Sequence, residues 1–315
     1  MMSPKLVTAI VTTAAILGAT WIMERDQAVA NAPATGQIEH HAGDTKMSVK
    51  QLRTIETELE IKAPIEAVWK ALTDGQELTR WFPLNAKVKP GVGGSIWVSW
   101  GAPFEGESKI EAWEPNRHLR TGWPFTSSPD GDPTPLTVDY HLESRGGSTV
   151  LRLVHAGFGV GPNWDNEYDG VTRGWAFELR GLRHYLENHR GKDRRVVWVN
   201  QPTSLSLEKA ISRIIGPEGR VVRGRIDGLK EGDRFRLELV GMDEPLEGIV
   251  DINRPPRSFA ATLKSFNNAY LRCDMENCGG REAAWVWFST YGLDASTADK
   301  LQKTIETNVS KALAE

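Results

Sequence analysis

The stretch FEGESKIEAWEPNRHLRTGW, Phe104 to Trp123, returns in altered form as LEGIVDINRPPRSFAATL, Leu246 to Leu263. In each, a Glu-Gly pair opens an extended run, a proline turn with an arginine just after it follows, and a second extended run begins. The neighbouring signals say that more than a hairpin is repeated. Gly146-Gly147 matches Gly279-Gly280, and Pro64 matches Pro202, at nearly the same offset. Each copy reads strand, proline, short helix, several strands and a longer closing helix. Two copies are too few for a stacked array, so each must close its own core. A chain of 315 residues has room for about two such domains.

The periodicities fill in the copies. Thr54–Ile61 alternates as a strand, and Ile65, Val68, Trp69 and Leu72 recur at helical spacing behind Pro64. Six strand signals then follow, which predicts an antiparallel meander. Trp164, Tyr168, Val171, Trp175, Leu179, Leu182 and Leu186 form one continuous stripe that ends near Gly191 and must lie on the sheet. In the second copy Leu207, Ala210, Ile211 and Ile214 repeat the short helix, and Ala298, Leu301, Ile305, Val309 and Ala312 the long one, behind a Ser296-x-x-Asp299 capping box. The fold class is α+β, with boundaries at 51–191 and 192–315.

The start of the chain is different. Leu6–Met23 is uncharged behind Lys5, and Ala28–Ala30 offers a small-x-small cleavage site. Residues 1–30 read as a signal peptide or membrane anchor, and 31–50 as a flexible linker, which predicts an exported or membrane-anchored protein. The alternative is a start at Met47 and a cytoplasmic location.

Hydrophobic residues at 40%, charged residues at 25% and a formal net charge of −3 describe a globular chain with no field for nucleic acid. Lys192–Arg195 is the one dense basic run. Cys273 and Cys278 are too few for a disulfide framework or a cysteine-built zinc site; whether they pair stays open. Glu39–His41 falls in the linker, and no G-x-S-x-G, H-E-x-x-H or paired C-x-x-C is present. Neither a metal nor a cofactor is expected.

The blocks IETELEIKAPIEAVWKALTDGQELTRWF, GESKIEAWEPNRHLRTGW, LRLVHAGFG and GWAFELRGLRHYLE resemble, in order and spacing, the START-like superfamily, in the branch similar to the C-terminal domain of the activator of Hsp90 ATPase. The resemblance covers about Thr54 to Gly191; the second copy is similar in element order and a few turn residues. It implies tandem helix-grip domains, each a curved antiparallel sheet wrapped around its long helix. Members of the superfamily bind lipids, polyketides or other hydrophobic small molecules in the cavity between sheet and helix, and some are cyclases, hydrolases or co-chaperones. A fold with so many uses does not settle function.

The first reading is therefore a non-enzymatic binder of a hydrophobic small molecule, with Trp81, Phe82, Trp100, Trp123, His155, Phe158, Tyr168 and Trp175 lining the site as apolar walls with polar handles. The second is an enzyme with His155 as acid/base. His155 shares the inward face of Leu151 and Leu153, and Asp165 or Glu167 would orient it; the same position equally suits a hydrogen-bonded core histidine. The third is a co-chaperone-like protein, against which the resemblance itself speaks. Chaperone-stimulating members carry an extra N-terminal domain where this chain has an apolar segment and a linker.

Overall fold

The structure is a computed structural model and describes residues 51–102, 104–124, 135–278 and 281–314. The expected signal or anchor segment, the linker and Gly279-Gly280 lie outside the described residues. Among the described residues no helix is long and apolar enough to cross a membrane.

The first half runs β1 (Arg53–Ile61), α1 (Ile65–Thr73), α2 (Gly75–Thr79), β2 (Asn85–Lys89), β3 (Ser95–Ser99), β4 (Glu105–Glu114), β5 (His118–Gly122), β6 (Thr137–Arg145), β7 (Ser148–Phe158) and α3 (Pro162–Asn188). The second runs β8 (Arg194–Thr203), α4 (Leu207–Ile214), β9 (Ile215–Gly216), β10 (Val222–Arg223), β11 (Arg234–Leu239), β12 (Leu246–Arg254), β13 (Ser258–Leu263), α5 (Ser265–Asn268), β14 (Tyr270–Cys278), β15 (Arg281–Tyr291) and α6 (Ala295–Leu313). Seven strands order as β1-β7-β6-β5-β4-β3-β2, and eight as β8-β15-β14-β13-β12-β11-β10-β9. In both sheets the first long strand pairs with the last and an antiparallel meander follows; in the second, the two-residue β9 adds in parallel beside β10 at the edge, so that sheet is mixed rather than wholly antiparallel as expected. The architecture is that of tandem helix-grip units in the α+β class.

The repeated hairpin is β4–β5 and β12–β13. Glu114 faces His118 and Arg254 faces Ser258 across the turns, and each ladder slips once, between Ile110 and Ala112 and between Val250 and Ile252. The bulge therefore recurs three residues before the turn in both copies. The glycine of the second Glu-Gly pair has a steric reason: a Cβ on Gly248 would collide with the Thr262 carbonyl oxygen across the ladder.

Two details depart from the sequence reading. Pro202 does not repeat the break of Pro64. It lies inside β8, opposite Ala283 on the sheet edge, where a missing N–H costs no ladder bond. The short helix instead starts at Ser206, whose side chain accepts from Lys209 N. The cap of α6 is Asp294, accepting from Thr297 N at 2.9 Å, rather than Ser296.

The layers are unequal. α6 covers the inner face of the second sheet with Leu301, Ile305 and Val309 against residues such as Leu271, Phe288 and Met275. α3 lies on the inner face of the first sheet through Val171, Trp175, Leu179 and Leu182, but its opposite side is also covered. Phe177 packs with Ile252, Ala260 and Tyr270, and Trp285, Trp287 and Tyr291 of β15 join the first core. Charged pairs fill the same seam: Arg173 with Asp274 at 3.1 Å, Arg272 with Glu178 at 3.2 Å and Arg183 with Asp251 at 3.2 Å. No residue from Gly170 to Leu186 is exposed, so α3 is the central layer between two sheets.

Candidate functional site

The expected site residues meet in one aromatic chain along the inner face of the first sheet. Trp81 stacks on Phe82 with ring centres 5.2 Å apart, Phe82 meets Trp100 edge-on at 5.1 Å and Trp175 at 6.1 Å. Trp175 continues to Trp123 at 5.9 Å and to His155 at 6.1 Å. His155 lies 4.6 Å from Phe158, which meets Tyr168 at 5.4 Å. All but Tyr168 are buried. Tyr168 closes the far end, with its hydroxyl donating to the Thr54 carbonyl at 3.0 Å and the Arg53 guanidinium 4.5 Å above its ring.

The members do different work. Trp81, Phe82 and Trp123 line an internal cavity of about 40 Å³ together with Leu72 and Leu78 of the short helices and Val98, Leu119 and Val138 of the sheet. Trp100, His155, Phe158, Tyr168 and Trp175 are not on its wall; they stand behind and beside it. Ser108, Thr121 and Tyr140 bring hydroxyl groups to the lining. These three were missed in the sequence because each sits singly in an otherwise apolar alternation. Burial raises the Tyr140 phenol above its usual range, so it stays protonated and able to donate.

His155 is fully buried. Its Nδ1 accepts from the Trp175 indole N–H at 3.0 Å, which places its own proton on Nε2, an atom without a hydrogen-bond partner among the described residues. Burial pushes its pKa down to about 3, far from the value a general base needs at neutral pH. The orienting carboxylate expected from sequence is not its partner. Asp165 pairs with Arg53 at 2.7 Å at the surface, and the residue that orients His155 is Trp175. Glu167 is pushed up to about 7 by burial.

A second cluster lies on the outward side of the first sheet. His118, Asp139 and His141 each offer a ligand atom within 4.8 Å of the others; the two imidazoles stack at 4.4 Å. His118 Nε2 is 2.7 Å from Asp139 Oδ1, and Arg120 Nε is 3.4 Å from the other carboxylate oxygen. The trio comes from two strands, so no sequence spacing announced it. Its carboxylate is already balanced by Arg120. Cys273 is buried and free, and burial raises its thiol to about 12, which leaves it inert. The side chain of Cys278 is outside the described set.

No curated protein matches the chain. Among solved structures, protein MLL2253 from Mesorhizobium loti is 28% identical, with 44% of this chain and 98% of that one covered at a TM-score of 0.38. The Aha1 dimer from Colwellia psychrerythraea is 20% identical, covering 44% and 99%, also at 0.38. DynU16, from the dynemicin biosynthetic locus, is 16% identical and covers 82% of this chain and 95% of its own length at 0.38. The sequence pattern of the family described as "Activator of Hsp90 ATPase homolog 1-like protein" matches residues 62–187, from the end of β1 to the end of α3. That span holds the aromatic chain and the cavity, and over it the chain is similar to that family.

Proposed function

We propose that the first domain binds a small hydrophobic molecule between its sheet and the helices above it, without chemistry. The fold commonly binds hydrophobic ligands, and the observation that carries the reading here is the internal cavity walled by Trp81, Phe82 and Trp123 with three hydroxyls inside. Its size sets a condition. At about 40 Å³ it is far below the roughly 300 Å³ or more of a typical ligand pocket, so binding requires the rings to part. Trp81 and Phe82 follow the five-residue helix α2 and its cap Arg80, and parting the rings requires breaking the Trp81 indole's bond to the Ala71 carbonyl at 2.9 Å or moving Phe82 alone. The enzymatic reading has less behind it, because burial disfavours protonation of His155 and its partner is an indole rather than a carboxylate.

Titration of the full chain with an apolar fluorophore such as ANS tests this. Saturable binding in the wild type, lost in Val138→Phe with cooperative unfolding retained, supports it; no saturable binding in the wild type rejects it. Native mass spectrometry of protein taken from cells would show a retained ligand directly. We also propose, from Leu6–Met23 and the cleavage site at Ala28–Ala30, that the protein is exported or membrane-anchored. Recovery from its host as cytosolic protein starting at Met47 would contradict this.

A further inference from the structure

A separate cavity of about 30 Å³ lies between the two halves. Its walls are Phe177, Glu178 and Gly181 of α3, Trp81, and the outward face of β14 and β15. It is rich in donors that the protein leaves unused. Trp285 Nε1, Tyr270 Oη, Arg272 Nε and Arg194 Nε are all buried, line this one cavity, and have no hydrogen-bond partner among the described residues. Trp285 and Tyr270 are only 3% and 4% exposed. A buried donor left unpaired is destabilising, and four in one place are not accounted for by packing.

The charges point the same way. Arg272 lies against Glu178 at 3.2 Å and Glu276 at 3.0 Å. Arg194 gives its terminal nitrogens to the carbonyls of Trp81, Phe82 and Pro83, and no carboxylate lies within ion-pair distance of it among the described residues. Glu178 is the sole acid on the wall, and burial pushes it up to about 7, so near neutral pH it carries less than a full negative charge. Water answers such a lining poorly, because each molecule brings two hydrogens that need acceptors of their own. A carboxylate brings four lone-pair sites and no hydrogen.

We propose that this interdomain chamber binds a small monoanion of the carboxylate class, of formate or acetate size, which neutralises Arg194 and accepts from the Trp285 indole and its neighbouring donors. The site needs both halves: α3 and Trp81 form one wall, Arg194 and the second sheet the other.

The test is a titration of the full chain, labelled with ¹⁵N at tryptophan indoles, with sodium formate. Ionic strength is held constant with sodium gluconate, whose anion is too large to enter. The Trp285 resonance, assigned by its loss in Trp285→Phe, should shift and saturate, with apparent affinity at least about tenfold weaker in Arg194→Gln, as loss of a charged hydrogen bond implies. Should Arg194→Gln not fold, Tyr270→Phe supplies the second reading and should weaken binding several-fold. A Trp285 signal that stays fixed, or that drifts without saturation and equally with gluconate, means the chamber holds water only and overturns the proposal. So does saturable binding that neither replacement alters.

Discussion

The outward faces of the two sheets put the same register to opposite uses. Following the ladders from the matched turns, His141 corresponds to Asp274, Arg152 to Trp285 and Glu56 to Trp198. In the first sheet Arg152 and Glu56 meet on a diagonal as an exposed ion pair at 2.6 Å. In the second the same diagonal is Trp198 stacked on Trp285, ring centres 5.6 Å apart and within 8° of parallel. The backbones are equivalent, and what differs is every second side chain on one face. An antiparallel sheet leaves that face free to meet water or protein. The second copy spends it on α3 of the first, and the chamber with its spare donors exists only because of that choice.

The comparison can be broken most sharply by exchanging its two ends. Trp285→Arg places the first sheet's residue in the seam; it removes a buried indole and buries a charge with no partner. It should cost about 4 kcal/mol or more in urea unfolding, and a loss under about 1 kcal/mol would show that the seam is loose. Arg194→Ala leaves three carbonyl oxygens at the end of α2 without their donor and should cost about 3 kcal/mol by the same measurement. The reverse exchange, Arg152→Ala on the exposed diagonal, should leave the thermal midpoint unchanged, since solvent-exposed pairs contribute little.

Between these in size is an opposition in pH dependence. His155 in the first core and His184 in the seam are both depressed to about 3, chiefly by burial. The unfolded chain takes up their protons first, so their contribution is present above 6.5 and is lost as pH falls, by about 1.4 kcal/mol per unit per group at most. Glu178 and Glu276 are raised to about 7 and about 8, chiefly by burial, which outweighs the neighbouring Arg272. Their contribution is full below the ordinary carboxylate value and is lost as pH rises through 7 to 8. The two trends oppose one another between pH 4.5 and 6.5. Glu178→Gln should therefore steepen the rise of stability with pH in that window, and His155→Phe should flatten it, both read from urea midpoints. Equal slopes in wild type and variants would contradict the burial of these groups.

Much of this was legible in the sequence. The strands, the stripe from Trp164 to Leu186 and the twofold repeat follow from periodicity, and the aromatic residues expected around a site do form one connected chain. The second buried face of α3 was not legible, because it is built from Arg173, Glu178, Arg183 and His184, and a charged stripe reads as solvated. One signal pointed to it: Trp285-Val286-Trp287-Phe288 is apolar without alternation, the mark of a strand covered on both faces. The carboxylate proposed for His155 failed for a related reason. Nearness in sequence to Asp165 said nothing of where Arg53 would stand, whereas Trp175, twenty residues away, comes within 3.0 Å only through folding. The left-handed turn at Phe266, Asn267 and Asn268 had no glycine to announce it; its Asn268 carbonyl accepts from both His184 and His189 across the seam.

Amide hydrogen exchange along the two long helices tests the layered account most directly. α6 is covered on one face only, with buried Leu301, Ile305 and Val309 separated by exposed residues, so its amides should alternate between slow and fast with the helical period. α3 should be uniformly slow from Val171 to Leu186, because both of its faces are covered. An α3 that shows the α6 pattern, with the amides around Phe177, Glu178 and Gly181 exchanging fast, would contradict a helix shared between two sheets.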